Sequence, residues 1–247
     1  MILVLGGTKD SREIIEIILS MNKEVIATTT TKYGSELLIN NKNLIKVNRK
    51  LNQNEMLELI KKYEISKVID ATHPYAKNVS ENIMKVVKKM NILYLRYERE
   101  KSQHSFYKEY DSYDEIVEFL SKENGNVLLT IGSNNLEKFD KLNSDRLFAR
   151  ILPTSNVIKK CEKIGIKPKN IIALQGPFTI EFNELIIKEK NIKFLVTKES
   201  GKVGGFYEKV QSCKNLKIEC LVLKRPNIEY MNITSDYDDI RKFVNRD

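Results

Sequence analysis

The sequence predicts an α/β fold made of two Rossmann-like domains, each with a parallel sheet. Short apolar stretches alternate with helical patterns along the first half, and the alternation resumes after a charged connector at residues 96–110. Several strands run directly into glycines, hydroxyls and cations, which is typical of a sheet whose carboxyl edge faces a ligand. We therefore predict domains at residues 1–98 and 99–247, with the active site in the cleft between them.

The composition is that of a globular protein, with 41% hydrophobic and 30% charged residues in 247. No apolar run approaches the ~18 residues that span a membrane, and no basic leader precedes the first apolar stretch, so a cytoplasmic protein is expected. The net charge of +9 is dispersed among acids and no nucleic-acid-binding motif is visible. An acidic small molecule is therefore expected as partner, not nucleic acid or membrane. Three cysteines without metal-ligand spacing indicate neither a metal site nor a disulfide framework.

The chain opens with a predicted strand at Ile2–Leu5, the turn Gly6-Gly-Thr8 and a helix that contains Arg12. This order begins a nucleotide-binding βαβ unit, because Gly6 and Gly7 let the backbone approach a pyrophosphate at the helix amino end. The match to G-x-G-x-x-G is partial, since Thr8 and Ser11 replace the second and third glycines. A glycine turn with a purely steric role is the alternative.

A second strand is predicted at Glu24–Thr29, and no acid follows it to bind ribose hydroxyls. Threonines lead instead to Lys32, and hydroxyls with a cation suit a 2′-phosphate better than a free 2′-hydroxyl. NADPH is therefore expected in preference to NADH, which stays possible as the cofactor. A β-branched strand end with an exposed lysine is the simpler alternative.

The stretch Val68–Ala76 combines the end of a buried strand with a turn at Pro74. Proline suits the first turn of the helix predicted at Lys77–Met90. In the alternative interpretation, the acid and the threonine of this stretch cap that helix and the histidine packs at the turn. The side chains expected together at the sheet edge are Asp70, Thr72, His73 and Tyr75.

The second half repeats the strand-and-turn pattern up to a last predicted strand at Glu219–Leu223. Lys198, Lys209 and Arg225 lie in or beside its turns and not on helix faces. We therefore expect these three cations to bind the carboxylates of an acidic ligand. His104, in the connector, is expected to be a solvated loop residue.

The stretch Asp70-Ala-Thr-His-Pro-Tyr-Ala76 resembles the signature of the precorrin-6A reductases, including the cobalt-precorrin-6A reductases of the anaerobic cobalamin pathway. Asn48-Arg-Lys50 and Glu199 depart from the glycine and the asparagine that many members carry. The resemblance extends in chain order over Leu5-Gly-Gly-Thr-x-x-x-Arg-Glu13, Arg96-x-x-Arg99, Thr130-Ile-Gly-Ser-x-x-Leu136, Arg150, Gly176-Pro-Phe178 with Glu181, Thr197-Lys-x-Ser-Gly201, Gly204, Gly205, Lys209 and Arg225-Pro226.

This resemblance implies an NAD(P)H-dependent oxidoreductase that reduces the macrocycle of precorrin-6A, or of its cobalt complex, to precorrin-6B in vitamin B12 biosynthesis. The partner is then a tetrapyrrole polycarboxylate, and no protein-bound metal is expected. His73 is a candidate proton donor that we expect to act mainly by position. Cofactor contacts are expected at Gly6, Gly7, Thr8, Arg12, Lys32, Thr72 and His73, and substrate contacts at Tyr75, Gly132, Ser133, Gly176, Lys198, Ser200, Gly201, Lys209 and Arg225.

Two other classes stay open on the sequence alone. The first is another nucleotide-dependent oxidoreductase of a small acidic substrate. The short-chain type normally carries Tyr-x-x-x-Lys, which Tyr33 and Tyr75 do not match, whereas Tyr63 with Lys67 has that spacing. The second is a non-catalytic nucleotide or ligand sensor, which the scarcity of acid–base residues favours. A monomeric state is compatible with the sequence.

Overall fold

The computed structural model describes residues 1–101, 106–201 and 204–246. His104 lies outside the described residues. The chain divides into two compact units, the first formed by Met1–Glu100 with Pro226–Asp247 and the second by Lys101–Arg225.

The elements follow one another as alternating strands and helices. The amino-terminal part contains β1 (Ile2–Leu5), α1 (Lys9–Ser20), β2 (Val25–Thr29), α2 (Lys32–Glu36), β3 (Leu44–Asn48), α3 (Gln53–Lys62), β4 (Lys67–Asp70), α4 (Lys77–Met90) and β5 (Leu93–Tyr97). The middle part contains β6 (Lys108–Tyr110), α5 (Tyr113–Ser121), β7 (Asn126–Leu129), β8 (Leu147–Ile151), α6 (Ser155–Lys163), β9 (Ile171–Ala173), α7 (Ile180–Glu189), β10 (Ile192–Lys198), α8 (Phe206–Leu216) and β11 (Glu219–Leu223). The tail contains β12 (Ile233–Thr234) and α9 (Tyr237–Asn245).

Each unit holds a six-stranded sheet whose neighbouring strands all run parallel. The first sheet has the order β12-β5-β4-β1-β2-β3 and the second β6-β11-β10-β7-β8-β9. Both are doubly wound, with the change of direction between β1 and β4 in one and between β7 and β10 in the other. The predicted α/β class with two Rossmann-like parallel sheets is confirmed.

Helices cover both faces of the first sheet, which explains why every residue of β1 is buried. On one face, Val4 packs with the apolar stripe of α1 and with Ile240 of α9. On the other, Leu3 and Leu5 pack with α3 and α4. The carboxyl ends of β1 and β4 lie side by side, with Leu5 opposite Asp70.

The sixth strand of each sheet comes from an unexpected part of the chain. After β5 the chain enters the second sheet as β6, beside β11. After β11 it returns to the first sheet as β12, beside β5. The sixth strand of the second sheet therefore follows β5 in the chain, and the sixth strand of the first sheet follows β11.

The predicted domains are residues 1–98 and 99–247, whereas the compact units of the structure divide after Glu100 and again after Arg225. Residues 226–247 belong to the first unit. Arg96 and Glu98 donate backbone N–H groups to the carbonyls of Asn232 and Thr234 at 2.9 and 2.8 Å. Ile240 is fully buried in the first unit's core.

No described helix is both long and apolar enough to cross a membrane. Cys161, Cys213 and Cys220 are buried free thiols. Within the described residues, no group of three or more His, Cys, Asp and Glu side chains is arranged to hold a metal ion.

Candidate functional site

The turn after β1 is closed by a network around Ser11. Its Oγ accepts the N–H groups of Gly7 and Thr8 at 3.1 and 3.0 Å, and Thr8 Oγ1 accepts Ser11 N–H at 3.0 Å. Gly7 has φ +112° and a Cβ there would meet nothing within 4 Å. The turn therefore leaves open space over its backbone, where a ligand can approach, although two of its N–H groups are already bonded.

Thr8 also joins this turn to the loop after β4. Its hydroxyl donates to the carbonyl of Ala71 at 2.9 Å, across the point where the sheet changes direction. Ligands of doubly wound sheets bind at such a switch point. The two sequence motifs of the first half are thus brought into contact by the strand order.

Asp70 is the centre of a buried network and is itself fully buried. One carboxylate oxygen accepts Thr72 Oγ1 at 2.7 Å and Arg96 Nη1 at 2.9 Å. The other accepts Ser80 Oγ at 2.6 Å and the Tyr94 hydroxyl at 3.1 Å. Both oxygens are satisfied internally, so Asp70 holds the loop and is not presented to a ligand.

The Arg96 guanidinium completes this network. It donates to Glu98 from Nε and Nη2 at 3.1 and 3.0 Å, and its Cζ lies 5.0 Å from the centre of the Tyr230 ring. Burial lowers the pKa of Arg96, but Asp70, Tyr230 and Glu98 raise it, and the net shift is upward. Burial raises the pKa of Tyr230 to about 12, against the lowering effect of Arg96. Arg96 and Tyr230 therefore both stay protonated near neutral pH.

Four side chains that we expected together at the sheet edge therefore divide into two pairs. Asp70 and Thr72 point into the network, since Thr72 Oγ1 accepts Arg96 Nη1 at 3.0 Å. His73 and Tyr75 are half-buried with ring centres 5.5 Å apart, and Tyr75 donates its N–H to His73 Nδ1 at 3.3 Å. The sheet edge thus presents the second pair and not the first.

The amino end of α4 also differs from the sequence prediction. The expected placement of Pro74 in the first helical turn is wrong, because α4 begins at Lys77 after a separate turn. Neither Asp70 nor Thr72 caps it, since its N-cap is Ala76, without a side-chain hydrogen bond.

The two basic residues predicted to bind the cofactor, Lys32 and Arg12, lie on helices of the first unit. Lys32 begins α2 with a side chain 87% exposed, 3.8 Å from Glu36. Arg12 is half-buried on α1. Next to it, Asp10 forms an ion pair with Arg99, and burial raises the pKa of Asp10 although Arg99 lowers it. This acid at the amino end of α1 is a feature that the sequence interpretation overlooked.

In the second unit, the strand ends carry glycines in constrained positions. Gly132 has φ +76° and open space where a Cβ would stand, just before Ser133 begins a 3-10 helix. A Cβ on Gly176 would come within 2.9 Å of the Phe178 ring. Glycine at 176 is therefore what lets that ring fold back towards the sheet.

The loop after β10 is organised by Glu199. Its Oε1 accepts the N–H of Gly201 at 3.1 Å, and its carboxylate pairs with the buried Arg225. The expectation that Arg225 binds a substrate carboxylate stays a prediction, and Glu199 already supplies one counter-ion to this guanidinium. Ser200 Oγ donates to the Gly204 carbonyl at 3.3 Å. The departure from asparagine at position 199 thus supplies a charge that neutralises Arg225.

Lys209 and Arg150 are buried on the face of the second sheet that α7 and α8 cover. Lys209 is 7% and Arg150 9% exposed. Arg150 Nη1 donates to Asn183 Oδ1 at 2.7 Å, and its Cζ lies 4.4 Å from the centre of the Phe178 ring. Lys209 Nζ donates to the Gly204 carbonyl at 3.3 Å. Both acceptors are neutral, so neither cation is charge-compensated by them.

Burial governs the protonation of these cations. It lowers the pKa of Arg150 to about 10, and it also lowers the pKa of Lys198. Burial, with the charge of Arg150 added, lowers the pKa of Lys209 to about 7. Lys209 is thus a lysine that changes charge near neutral pH.

The residues that the sequence interpretation missed share one property. Ser80, Tyr94 and Asn183 lie on regular elements and act through tertiary contacts, so no local motif marks them. Arg150 and Arg96 were noted only as parts of a family pattern. An arginine inside an apolar strand was the available signal, because a buried charge needs partners.

Two doubly wound sheets with glycine turns at their strand ends define the Rossmann-like class. Within it, the chain belongs to the precorrin-6x reductase family (CbiJ/CobK), whose sequence pattern matches residues 1–245. It is therefore an oxidoreductase of that family.

Curated relatives cover nearly the whole chain. It is 36% identical over 248 residues to the cobalt-precorrin-6A reductase of Methanocaldococcus jannaschii, covering 98% of this chain and 97% of that one. It is 34% identical over 246 residues to that of Priestia megaterium, covering 97% and 96%. A solved CobK precorrin-6A reductase matches the fold with a TM-score of 0.80 at 18% identity, covering 98% and 95%.

Proposed function

We propose that the protein reduces the macrocycle of cobalt-precorrin-6A to cobalt-precorrin-6B with NADPH, in corrin ring biosynthesis. The observation that carries this proposal is the end-to-end similarity to relatives of that name, at 34 and 36% identity. The precorrin-6A reductase of Rhodobacter capsulatus is only 19% identical over 75% of the chain. The higher identity to the cobalt-precorrin-6A reductases favours the cobalt complex as substrate.

The first unit's switch point is where we place the nicotinamide cofactor, which supplies the hydride when bound. The open space over Gly7 fits a pyrophosphate approaching the backbone. No acid stands at the end of β2, and the exposed Lys32 fits a 2′-phosphate. Thr8, Arg12, Thr72 and His73 complete the proposed contacts, with Thr72 acting through the loop that it holds.

The second unit's strand ends are where we place substrate contacts. A tetrapyrrole with acetate and propionate groups needs cations and polar donors around its rim. Lys198 and Lys209 supply positive charge, and the backbone turns supply close approach. The remaining proposed contacts are Gly132, Ser133, Gly176, Ser200 and Gly201 in this unit, and Tyr75 in the first.

Nicotinamide absorbance provides the decisive assay. The protein is incubated with NADPH alone, with cobalt-precorrin-6A, and with metal-free precorrin-6A. We expect oxidation that requires the tetrapyrrole and is faster with the cobalt form. Oxidation driven only by other small acids would indicate a different oxidoreductase, and nicotinamide binding without turnover would indicate a sensor.

Lys198→Ala tests the assignment of the two ligands. We expect KM for the tetrapyrrole to rise by about 10–150-fold, the equivalent of a charge-assisted contact worth about 1.5–3 kcal/mol, with nicotinamide affinity unchanged. Lys188→Ala, which removes an exposed lysine from α7, is the matched control and should change neither. Lost NADPH affinity with intact substrate binding would instead assign this edge to the cofactor.

A further inference from the structure

A row of polar side chains crosses the second sheet on the face that α7 and α8 cover. It consists of Thr197 on β10, Thr130 directly after β7 and Arg150 on β8, which are adjacent strands. Side chains alternate between the two faces of a strand, so each of these residues lies on the same face as the residue two positions before it. Those earlier residues lie in the core under α7 and α8: Leu195, Leu128 and Phe148.

Lys209 joins this row from the first turn of α8, so the expectation that it lies in a turn and not on a helix is wrong. Its buried ammonium is close enough to Arg150 for their charges to repel. Within the described residues, neither forms an ion pair with a carboxylate. Their hydrogen bonds go to the Asn183 amide and the Gly204 carbonyl. Two adjacent buried cations without a paired anion are costly, because buried charges are normally compensated.

Thr197 adds an unused hydroxyl to the same row. It is fully buried, and its Oγ1 has no hydrogen-bond partner among the described residues. Thr130, its neighbour, differs because its hydroxyl donates to the Val196 carbonyl at 2.9 Å. A buried hydroxyl without a partner, on the sheet face that also carries Arg150, indicates a donor available to a ligand.

We propose that Arg150, Thr197 and Lys209 form an oxyanion site that binds a carboxylate or phosphate group and takes up a proton on Lys209 when it does. The site deepens the proposed function, on which it rests for its ligand. The ligand group comes either from a substrate carboxylate or from a cofactor phosphate, which carry the same chemistry.

The proton uptake follows from the charges around Lys209. Arg150 from β8 and Lys198 from β10 oppose its protonation, as burial does. Glu208 on α8 and Cys220 on β11 favour it, but burial outweighs them and holds its pKa near 7. Cys213, one turn further along α8, is a buried thiol whose own pKa is raised. A bound anion adds a charge that favours the ammonium, so binding raises this pKa.

Sulfate is the probe for this site because its charge is constant over the relevant pH range. Binding to the wild type is measured by calorimetry at about pH 6 and about pH 8.5. We expect the affinity to be about 30-fold weaker at the higher pH, since Lys209 must then be protonated on binding. Calorimetry in two buffers of different ionisation enthalpy should show about one proton taken up at the higher pH.

Three variants separate the site from general surface charge. Lys209→Met should weaken sulfate binding at least tenfold at about pH 6 and leave the sulfate-free melting temperature unchanged or higher, because a buried cation is removed. Lys209→Arg keeps the charge and should abolish the pH dependence. Lys214→Met, an exposed lysine on the same helix, is the matched control and should behave as the wild type.

Competition against sulfate identifies the source of the oxyanion. NADP⁺ and NAD⁺ test the cofactor phosphates, and uroporphyrin tests a tetrapyrrole with carboxylates. Displacement by uroporphyrin assigns the site to the substrate, and displacement by NADP⁺ assigns it to the cofactor. These measurements need no turnover, so they can fail or succeed independently of the reductase assay.

The proposal is overturned by any of four results. The first two are a wild type that does not bind sulfate and a Lys209→Met variant that binds sulfate as tightly as the wild type. The third is a sulfate affinity of the wild type that does not change with pH. The fourth is that neither NADP⁺ nor uroporphyrin displaces sulfate.

Discussion

At the scale of single residues, the contacts of Asp70 distinguish a structural carboxylate from a catalytic one. It accepts hydrogen bonds from Thr72, Ser80, Tyr94 and Arg96 with no exposed surface. A carboxylate that binds a ligand must keep an oxygen available, and this one does not. The family signature at this position is thus explained by a requirement to hold the loop after β4.

Asp70→Asn should therefore reduce stability. The substitution leaves the buried Arg96 without its main counter-ion, and we expect the free energy of unfolding to fall by about 3–5 kcal/mol. Urea denaturation measures it. Glu81→Gln, which breaks the exposed pair with Lys77, is the control and should cost less than about 1 kcal/mol. A fully stable Asp70→Asn protein that has lost its activity would make Asp70 a catalytic residue.

His73→Ala tests position against proton donation. His73 packs against Tyr75 and accepts its N–H, so we expect a rate deficit of about 10–100-fold from lost positioning. Single-turnover rates across pH are the measurement. An ionisation near neutral pH that disappears in the variant, together with nearly all activity, would show instead that His73 donates the proton.

At the scale of elements, periodicity and turn residues determined most of the first unit. The helix predicted at Lys77–Met90 has those bounds, and the first strand is Ile2–Leu5 as predicted. The elements after residue 225 were missed. β12 has only two residues, too few to show a pattern, whereas the helical spacing of Tyr237, Ile240, Phe243 and Val244 in α9 was overlooked. They form because β5 offers an edge and α1 an apolar face.

Ile240→Ala should show that α9 belongs to the first unit. Ile240 is fully buried there, and we expect the free energy of unfolding to fall by about 2–5 kcal/mol. Its neighbour Arg241 is exposed, so Arg241→Ala is the control and should stay within about 0.5 kcal/mol. Hydrogen exchange should rise in β1 to β5. A rise confined to β7 to β11 would contradict the assignment.

At the scale of the whole molecule, cofactor choice is the property that the sequence and the structure address together. We expect kcat/KM for NADPH to equal or exceed that for NADH, because Lys32 is exposed at the end of β2 without a nearby strand-end acid. Lys32→Ala should lower only the NADPH value. A preference for NADH above about tenfold, roughly 1.4 kcal/mol, would contradict the role given to Lys32.

The sequence by itself determined the fold class, the family and the strand ends where the motifs lie. These follow from local information, since periodicity, glycine turns and motif order are readable along the chain. Tertiary structure alone decided which polar residues are paired with a counter-ion. Asp70 pairs with Arg96 and Arg225 with Glu199, whereas Lys209 and Arg150 are both buried and form no ion pair with a carboxylate in the part of the chain that the structure describes. Charge compensation depends on neighbours distant in sequence, and only the packing of the sheets supplies them.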